Sequence, residues 1–366
     1  MALAEERGGG EVMLRQLVEQ GRGLGVQWVV VFLEDGPMVS AFRHLGAKAV
    51  VIEAGRLRQP HRMSVTVARI ARVAQREQAT LILGWMMKGQ VYGAPAAVLS
   101  RRPAVWYQIA IPQPRDWLAR LATALPARGV ITLSRAGASA QAAIRPARRQ
   151  LMVYPGVELE RFAGAGLPAP AVLRARFGLP PDGPLIGIVS RLQRWKGIHV
   201  LIDAMALLRR THPQAKCVVV GGTHELEIAY ANELRRQVAA LGLESHVTFT
   251  GLKRNIHEWM HAMDVVVHAS DREPFGIVVL EAMALGKPLI AGSEGGPREI
   301  VTDGVDGLLV PYGDAAGLAA ALRRYLADPD FATTIGLAAR RRAADFSARG
   351  YAENVIKALE ELRRPV

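Results

Sequence analysis

The sequence predicts an α/β chain of two domains, each built on a parallel sheet, and three observations carry that prediction. Apolar runs without alternation recur along the chain between helical stretches, which is how strands covered on both faces read. The chain has 366 residues, half of them hydrophobic, which is long for one core and sufficient for two. Charged residues and glycine turns follow several of the runs, at the strand ends where open α/β sheets hold their ligands.

In the first half, strand-like runs are VQWVVVFLE (26–34), AVVIEA (49–54), TLILGW (80–85), AVWYQIA (104–110) and GVITLS (129–134), alternating with helical segments. A Gly/Pro-rich stretch, AGAGLPAP (163–170), marks the passage into the second domain. There PLIGIVS (184–190) reads as a buried parallel strand, and Arg191 and Lys196 follow it directly, placed to meet a diphosphate. Arg194, in the same loop, reads as solvated.

The most informative stretch is DREPFGIVVLEAMALGKPLIAGSEGGPRE, Asp271 to Glu299. Glu273 precedes Pro274 and Gly276, a turn pairing, so a helix is expected to start near Gly276 and to close on Gly286. The free N–H groups and positive dipole end at Gly276 form a seat for phosphate. Glu273 is expected at the lip of this site. Glu281, a turn and a half into the helix, is expected deeper, where sugar or ribose hydroxyls satisfy it. The blander alternative is that Glu273 only favours the helix dipole and Glu281 only pairs with a nearby Arg.

Taken together, these motifs make residues 151–363 resemble the donor-binding half of retaining GT-B glycosyltransferases, specifically glycosyltransferase family 4. The match runs through YPGVELERF (154–162), VSRLQRWKG, VVVGG (218–222), LGLESHVTFTG (241–251), MDVVVHAS (263–270), EPFGIVVLEAMALGKP, GGPREIV and DGVDGLLVP. The resemblance implies two Rossmann-like domains with parallel sheets facing a central cleft. Residues 1–160 then bind the acceptor, 161–349 bind the donor, and 350–366 form a helix packing back on the first domain. It implies that Arg191 and Lys196 bind the donor diphosphate, that Glu273 contacts the transferred sugar, and that Glu281 holds the nucleotide ribose. Phe275, Gly276, Ile277 and Val278 offer backbone N–H groups to the phosphates; Gly222, Thr250 and Gly251 are further donor-binding positions, with base contacts around Thr250 to Lys253 made by backbone. The Gly295, Gly296 to Glu299 turn is expected to close on sugar and diphosphate from the opposite strand end. The implied reaction is metal-independent, needs no cofactor beyond the nucleoside-diphosphate sugar as co-substrate, and moves a hexose to a saccharide or lipid-linked acceptor in glycan biosynthesis. A sugar-nucleotide epimerase or a phosphorylase on the same GT-B fold, and a nucleotide-sugar-binding protein with little or no turnover, are the rival readings.

Two departures from the family lie in the first domain. Members open with a strand leading into a glycine loop, here GGGE with Gly9 and Gly10, but MALAEER is too short and charged to supply that strand. Ile109 stands where many members carry a histidine near the reaction centre.

Charge is divided unevenly: residues 1–180 hold 24 Lys+Arg against 11 Asp+Glu, while residues 181–366 balance at 22 each. Arg56, Arg58, Arg62, Arg69, Arg72 and Arg76 crowd one segment at near-helical spacing, which reads either as a solvated helix face or as a patch for anionic lipid headgroups or a lipid-diphosphate acceptor. No nucleic-acid module accompanies it. The N-terminus lacks a signal peptide's apolar segment and no run is long enough to span a bilayer, so the expectation is a cytoplasmic protein, peripheral at the inner membrane face if the basic patch is used. The single cysteine, Cys217, reads as a buried inert thiol. HEWMH (257–261) satisfies the H-E-x-x-H zinc pattern, but it lies in a short helix expected to turn Trp259 and Met260 to the core, lacks an evident third ligand, and reads as two surface histidines.

Overall fold

The computed structural model describes residues 8–55, 59–145, 148–224 and 227–364. The chain divides into two units, Met1–Gly156 with Ala348–Val366, and Val157–Ser347. The Gly/Pro stretch 163–170 lies inside the second unit, leading into the helix Pro170–Phe177.

The first unit carries strands β1 (Val29–Phe32), β2 (Lys48–Val51), β3 (Ile82–Trp85), β4 (Ala104–Gln108), β5 (Val130–Thr132) and β6 (Gln150–Met152). Each lies within or beside a run read from the sequence except β6, three residues, two half-buried and one exposed, too short to show a pattern. All pairings are parallel, in two separate sheets, β1-β2 and β3-β4-β5-β6. Among the described residues no strand joins β1 to β3, and MALAEER lies outside them. β4 is buried at every residue because helices cover both its faces. Among those helices is Ala348–Arg363, which packs on β4 and on the helix Gly9–Gln20 and donates from Arg349 to the Gln20 carbonyl at 2.8 Å.

The second unit carries β7 (Leu185–Val189), β8 (Lys216–Val220), β9 (Val247–Gly251), β10 (Val265–His268), β11 (Leu289–Gly292) and β12 (Leu308–Val310). They form one parallel sheet in the order β12-β11-β10-β7-β8-β9. The chain therefore winds from β7 to one side through β8 and β9, then returns to lay β10 against the other edge of β7. Gly187, in the middle of β7, is required by close approach: a Cβ there would stand 2.0 Å from Met263 Sδ. Ile186, Ile188, Leu201, Met205, Val219 and Leu234 centre a core in which each fully buried aliphatic side chain contributes about 1.5–3 kcal/mol.

Cys217 belongs to this core, 1% exposed, and burial pushes its thiol up to about 12. Since only thiolate reacts, native protein is expected to resist Ellman's reagent and to release one thiol on unfolding; rapid labelling of folded protein would contradict the placement.

Candidate functional site

The sheet order creates a topological switch point between β7 and β10, and ligands in such sheets bind outside the carboxyl ends of the strands there. Two loops meet at this point. The first leaves β7 with Ser190 and Arg191 and tightens into the 3-10 turn Arg194–Lys196, ended by Gly197. Gly197 has φ +69, and a Cβ on it would fall 2.0 Å from the Ala269 carbonyl, so only glycine lets the two loops touch. The second loop runs from His268 through Ser270 to Glu273, and Asp271 N–H donates to the Trp195 carbonyl at 2.7 Å.

This approach brings together the two residues from which most was expected. Lys196 Nζ lies 2.5 Å from Glu273 Oε2, with side chains 15% and 12% exposed. His268 Nε2 lies 3.2 Å from the same Glu273 oxygen and 3.2 Å from Ser270 Oγ. Burial by itself would raise the Glu273 carboxyl, but the Lys196 ammonium and the His268 bond outweigh it and hold the group well below the carboxylate range. Lys196 Nζ also stands 3.8 Å from the centre of the Trp195 ring. Glu273 is thus more enclosed than its place in the turn suggested, its carboxylate paired with the lysine. His268 was missed because it reads as the end of an apolar strand. The available signal was a polar residue closing the buried run VVVH five positions before the glutamate.

The helix Ile277–Ala284 starts where expected, with Gly276 at φ +100 as its N-cap. Phe275 is buried against Phe346, Ile277 and Val278 are half-buried in the first turn, and Glu281 is half-buried in the second. The turn that holds Gly295 and Gly296 was expected to close from the opposite strand end. It lies instead at the same carboxyl edge, because β10 and β11 run parallel in register, His268 opposite Ala291. The turn pairs directly with the acidic loop: Glu273 bridges to Gly295, and Gly296 N–H donates to the Glu273 carbonyl at 2.8 Å. Glu299 follows, half-buried, in the short helix Pro297–Ile300.

Gly222, Thr250 and Gly251 lie together at the ends of β8 and β9. Gly221 N–H donates to the Gly251 carbonyl at 3.1 Å, Thr250 Oγ1 reaches the same carbonyl at 3.1 Å, and a Cβ on Gly222 would meet Leu252 Cβ at 3.3 Å. Leu252 is 67% exposed, an apolar face at this edge. Arg191 is half-buried on the loop leaving β7, and its guanidinium has no ion-pair partner among the described residues. Arg194 is not simply solvated: it pairs with Glu233 and lies over the Tyr230 ring.

Gly9 and Gly10 belong to the first unit and are not a loop. They are the first two residues of the helix Gly9–Gln20, after Gly8 in extended conformation. Trp85 Nε1 donates to the Gly10 carbonyl at 3.1 Å, and a Cβ on Gly10 would fall 2.4 Å from Ile109 Cδ1. The isoleucine that replaces the expected histidine is therefore packed onto this glycine.

His257 and His261 are half-buried rather than surface residues, against Phe162 and Gly164, and burial lowers both imidazoles. Trp259 and Met260 are buried as expected, and no group of three or more metal-ligating side chains occurs among the described residues. Arg62, Arg69, Arg72 and Arg76 are spread along the helix Pro60–Arg76, while Arg56 and Arg58 lie outside the described residues. No described helix is long and apolar enough to cross a membrane.

Residues 171–342 match the family model described as Glycosyl transferases group 1. The D-inositol 3-phosphate glycosyltransferase of Frankia alni is 36% identical over 220 residues, 58% of this chain and 53% of that protein, so the chain spans about half the length of the curated relatives it matches. Anabaena HepE, solved in complex with UDP-glucose, superposes with a TM-score of 0.87 at 29% identity, covering 99% of this chain and 98% of that one. The sucrose-phosphate synthase of Thermosynechococcus elongatus gives 0.81 at 26% identity, over 97% and 94%. The neighbours in the comparison are GT-B proteins, and this chain has that fold.

Proposed function

We propose, from the match of residues 171–342 to the glycosyl transferases group 1 model in a chain of GT-B fold, that the protein moves a hexose from a nucleoside-diphosphate sugar to an acceptor hydroxyl, retaining the anomeric configuration. The observation that carries this reading is the Lys196–Glu273 pair at the switch point, with Arg191 on the same loop as Lys196 and the Gly276 helix start next to Glu273. Breaking the anomeric bond puts negative charge on the leaving diphosphate while the ring becomes oxocarbenium-like. In this reading Lys196, Arg191 and the first-turn N–H groups after Gly276 take up the former. Glu273 holds Lys196 in position and presents its second oxygen to the sugar, and Glu281 accepts from the ribose. Front-face attack then lets the leaving phosphate itself receive the acceptor proton, so no metal is needed. UDP is the nucleotide proposed, because HepE, alike over nearly the full chain, binds UDP-glucose. Leu252 beside Gly222 offers the apolar face that a uracil ring covers. The acceptor is a saccharide or lipid-linked hydroxyl bound by the first unit.

A second reading, donor binding with little turnover, is favoured by Ile109 packed on Gly10, which leaves no imidazole at that position. A panel of nucleotide sugars measured by thermal shift, then by transfer to acceptor extracts with and without EDTA, separates the two. A ligand at a hundredfold its Kd stabilises the fold by about 2.7 kcal/mol. Stabilisation by UDP-hexose with EDTA-resistant transfer is expected. Stabilisation without transfer selects the second reading, and no response to any nucleotide sugar removes both.

A further inference from the structure

The first unit carries a second concave site that the reaction above does not use. It is a basin of about 770 Å³ at the amino ends of β4, β5 and β6, the edge of the sheet opposite the strand ends where α/β ligands bind. Among the described residues, six arginines line it, Arg101, Arg102, Arg128, Arg145, Arg148 and Arg149, and no acidic side chain does.

The six divide by what holds them. Arg148 is 9% exposed and is used as a clamp, donating to the carbonyls of Thr123, Leu125 and Ala127 at 2.7, 3.0 and 3.2 Å. Arg145 donates to the Thr123 carbonyl at 3.3 Å, and burial together with the Arg145 charge lowers the Arg148 pKa. Arg149 meets Glu361 at 2.5 Å, the one carboxylate that reaches any of the six among the described residues. Arg102 Nε is buried with no hydrogen-bond partner, and Arg101 and Arg128 are exposed at the rim, with no ion pair among the described residues.

Packing this many guanidiniums around one hollow is unfavourable unless an anion offsets it, and a concave, low-dielectric wall focuses their field. Arg102 keeps an unmet donor at Nε, so its guanidinium is not already neutralised by the protein and its charge still faces the hollow it lines. Among the described residues the lining holds no aromatic side chain on which a base could stack, so the array does not suit single-stranded nucleic acid. We propose that this basin binds a multiply charged phosphate-type anion, with Arg101, Arg102 and Arg128 as its ligands and Arg145 and Arg148 as the frame that holds them. The anion is either a soluble oligophosphate or the phosphate headgroup of a lipid.

Sodium tripolyphosphate is the probe, titrated calorimetrically at low ionic strength into Arg191→Ala/Lys196→Ala protein, which removes competing cations of the second unit. Binding is expected to persist there. It should weaken by about tenfold for each guanidinium removed when Arg101→Gln, Arg102→Gln and Arg128→Gln are added. A charge-matched control, Arg62→Gln/Arg69→Gln/Arg72→Gln on the helix Pro60–Arg76, is expected to bind as its parent does. Arg128→Gln alone, an exposed rim position, reads the same interaction if the triple variant melts early. Cosedimentation of otherwise unaltered protein with phosphatidic acid but not phosphatidylcholine vesicles, abolished in the triple variant, assigns the headgroup; tripolyphosphate binding without cosedimentation assigns the soluble anion. Absence of tripolyphosphate binding, or equal weakening in the control, overturns the proposal.

Discussion

Lys196→Ala is expected to lower sugar transfer by about 10²- to 10³-fold, the usual cost of removing one preorganised group that stabilises developing negative charge. The same change destabilises the second unit. With both partners more than four-fifths buried, truncation leaves the Glu273 carboxylate with His268 as its remaining polar partner in the pair, and breaking a buried pair this way costs about 3–5 kcal/mol. The pH dependence separates the two effects. Glu273 is held below its ordinary value of 4.5 in the folded protein, so its contribution to stability is present above that value and is lost as pH falls towards the folded one. In the variant the ammonium that depresses the group is gone, and acidification removes less. The melting-temperature gap between wild type and Lys196→Ala is therefore expected to be widest near neutrality and to narrow below pH 4.5, with Glu273→Gln flattening the acid limb in the same window. A gap independent of pH would show that the pair is not coupled as the distances indicate.

The second large effect is expected from Gly295→Ala. A Cβ at Gly295 would stand 2.3 Å from the Glu273 carbonyl oxygen and 3.1 Å from the Glu273 nitrogen, and one at Gly296 would stand 2.2 Å from Phe275 Cα. These neighbours are backbone and cannot rotate away. The turn is pressed flat against the segment that aims Glu273, so the methyl group displaces the carboxylate from Lys196 as well as straining a residue at φ +74. Left-handed backbone costs a non-glycine residue about 1–2 kcal/mol, and overpacking adds about 1–3 kcal/mol. Gly313→Ala is the control: its φ is +82, but nothing lies within 4 Å of the new Cβ, so it carries the backbone cost alone. At about 2–4 °C per kcal/mol for a unit of this size, Gly295→Ala should melt clearly below Gly313→Ala and lose transfer that the control keeps. Equal melting and equal transfer in the two variants would show that the glycine is there for its dihedral and not for the close approach.

Much of this protein was legible in its residues. The unbroken apolar runs declared buried parallel strands because both faces of such sheets are covered, and the turn chemistry of Pro274 and Gly276 marked the helix start that the structure shows. Arg191, Lys196, Glu273 and Glu281 were all picked out by their position after strands or in the helix they introduce. These are local properties, decided by neighbours within a few residues. What the tertiary structure decided is the pairing across 77 positions that encloses Glu273 against Lys196, with His268 beside it. It also decided that Gly9 and Gly10 open a helix and that the Gly295 turn rides on the acidic loop. The reason is the strand order: β10 lies against β7 only because the chain winds outward and then returns, and no local pattern records which strand a run will lie beside.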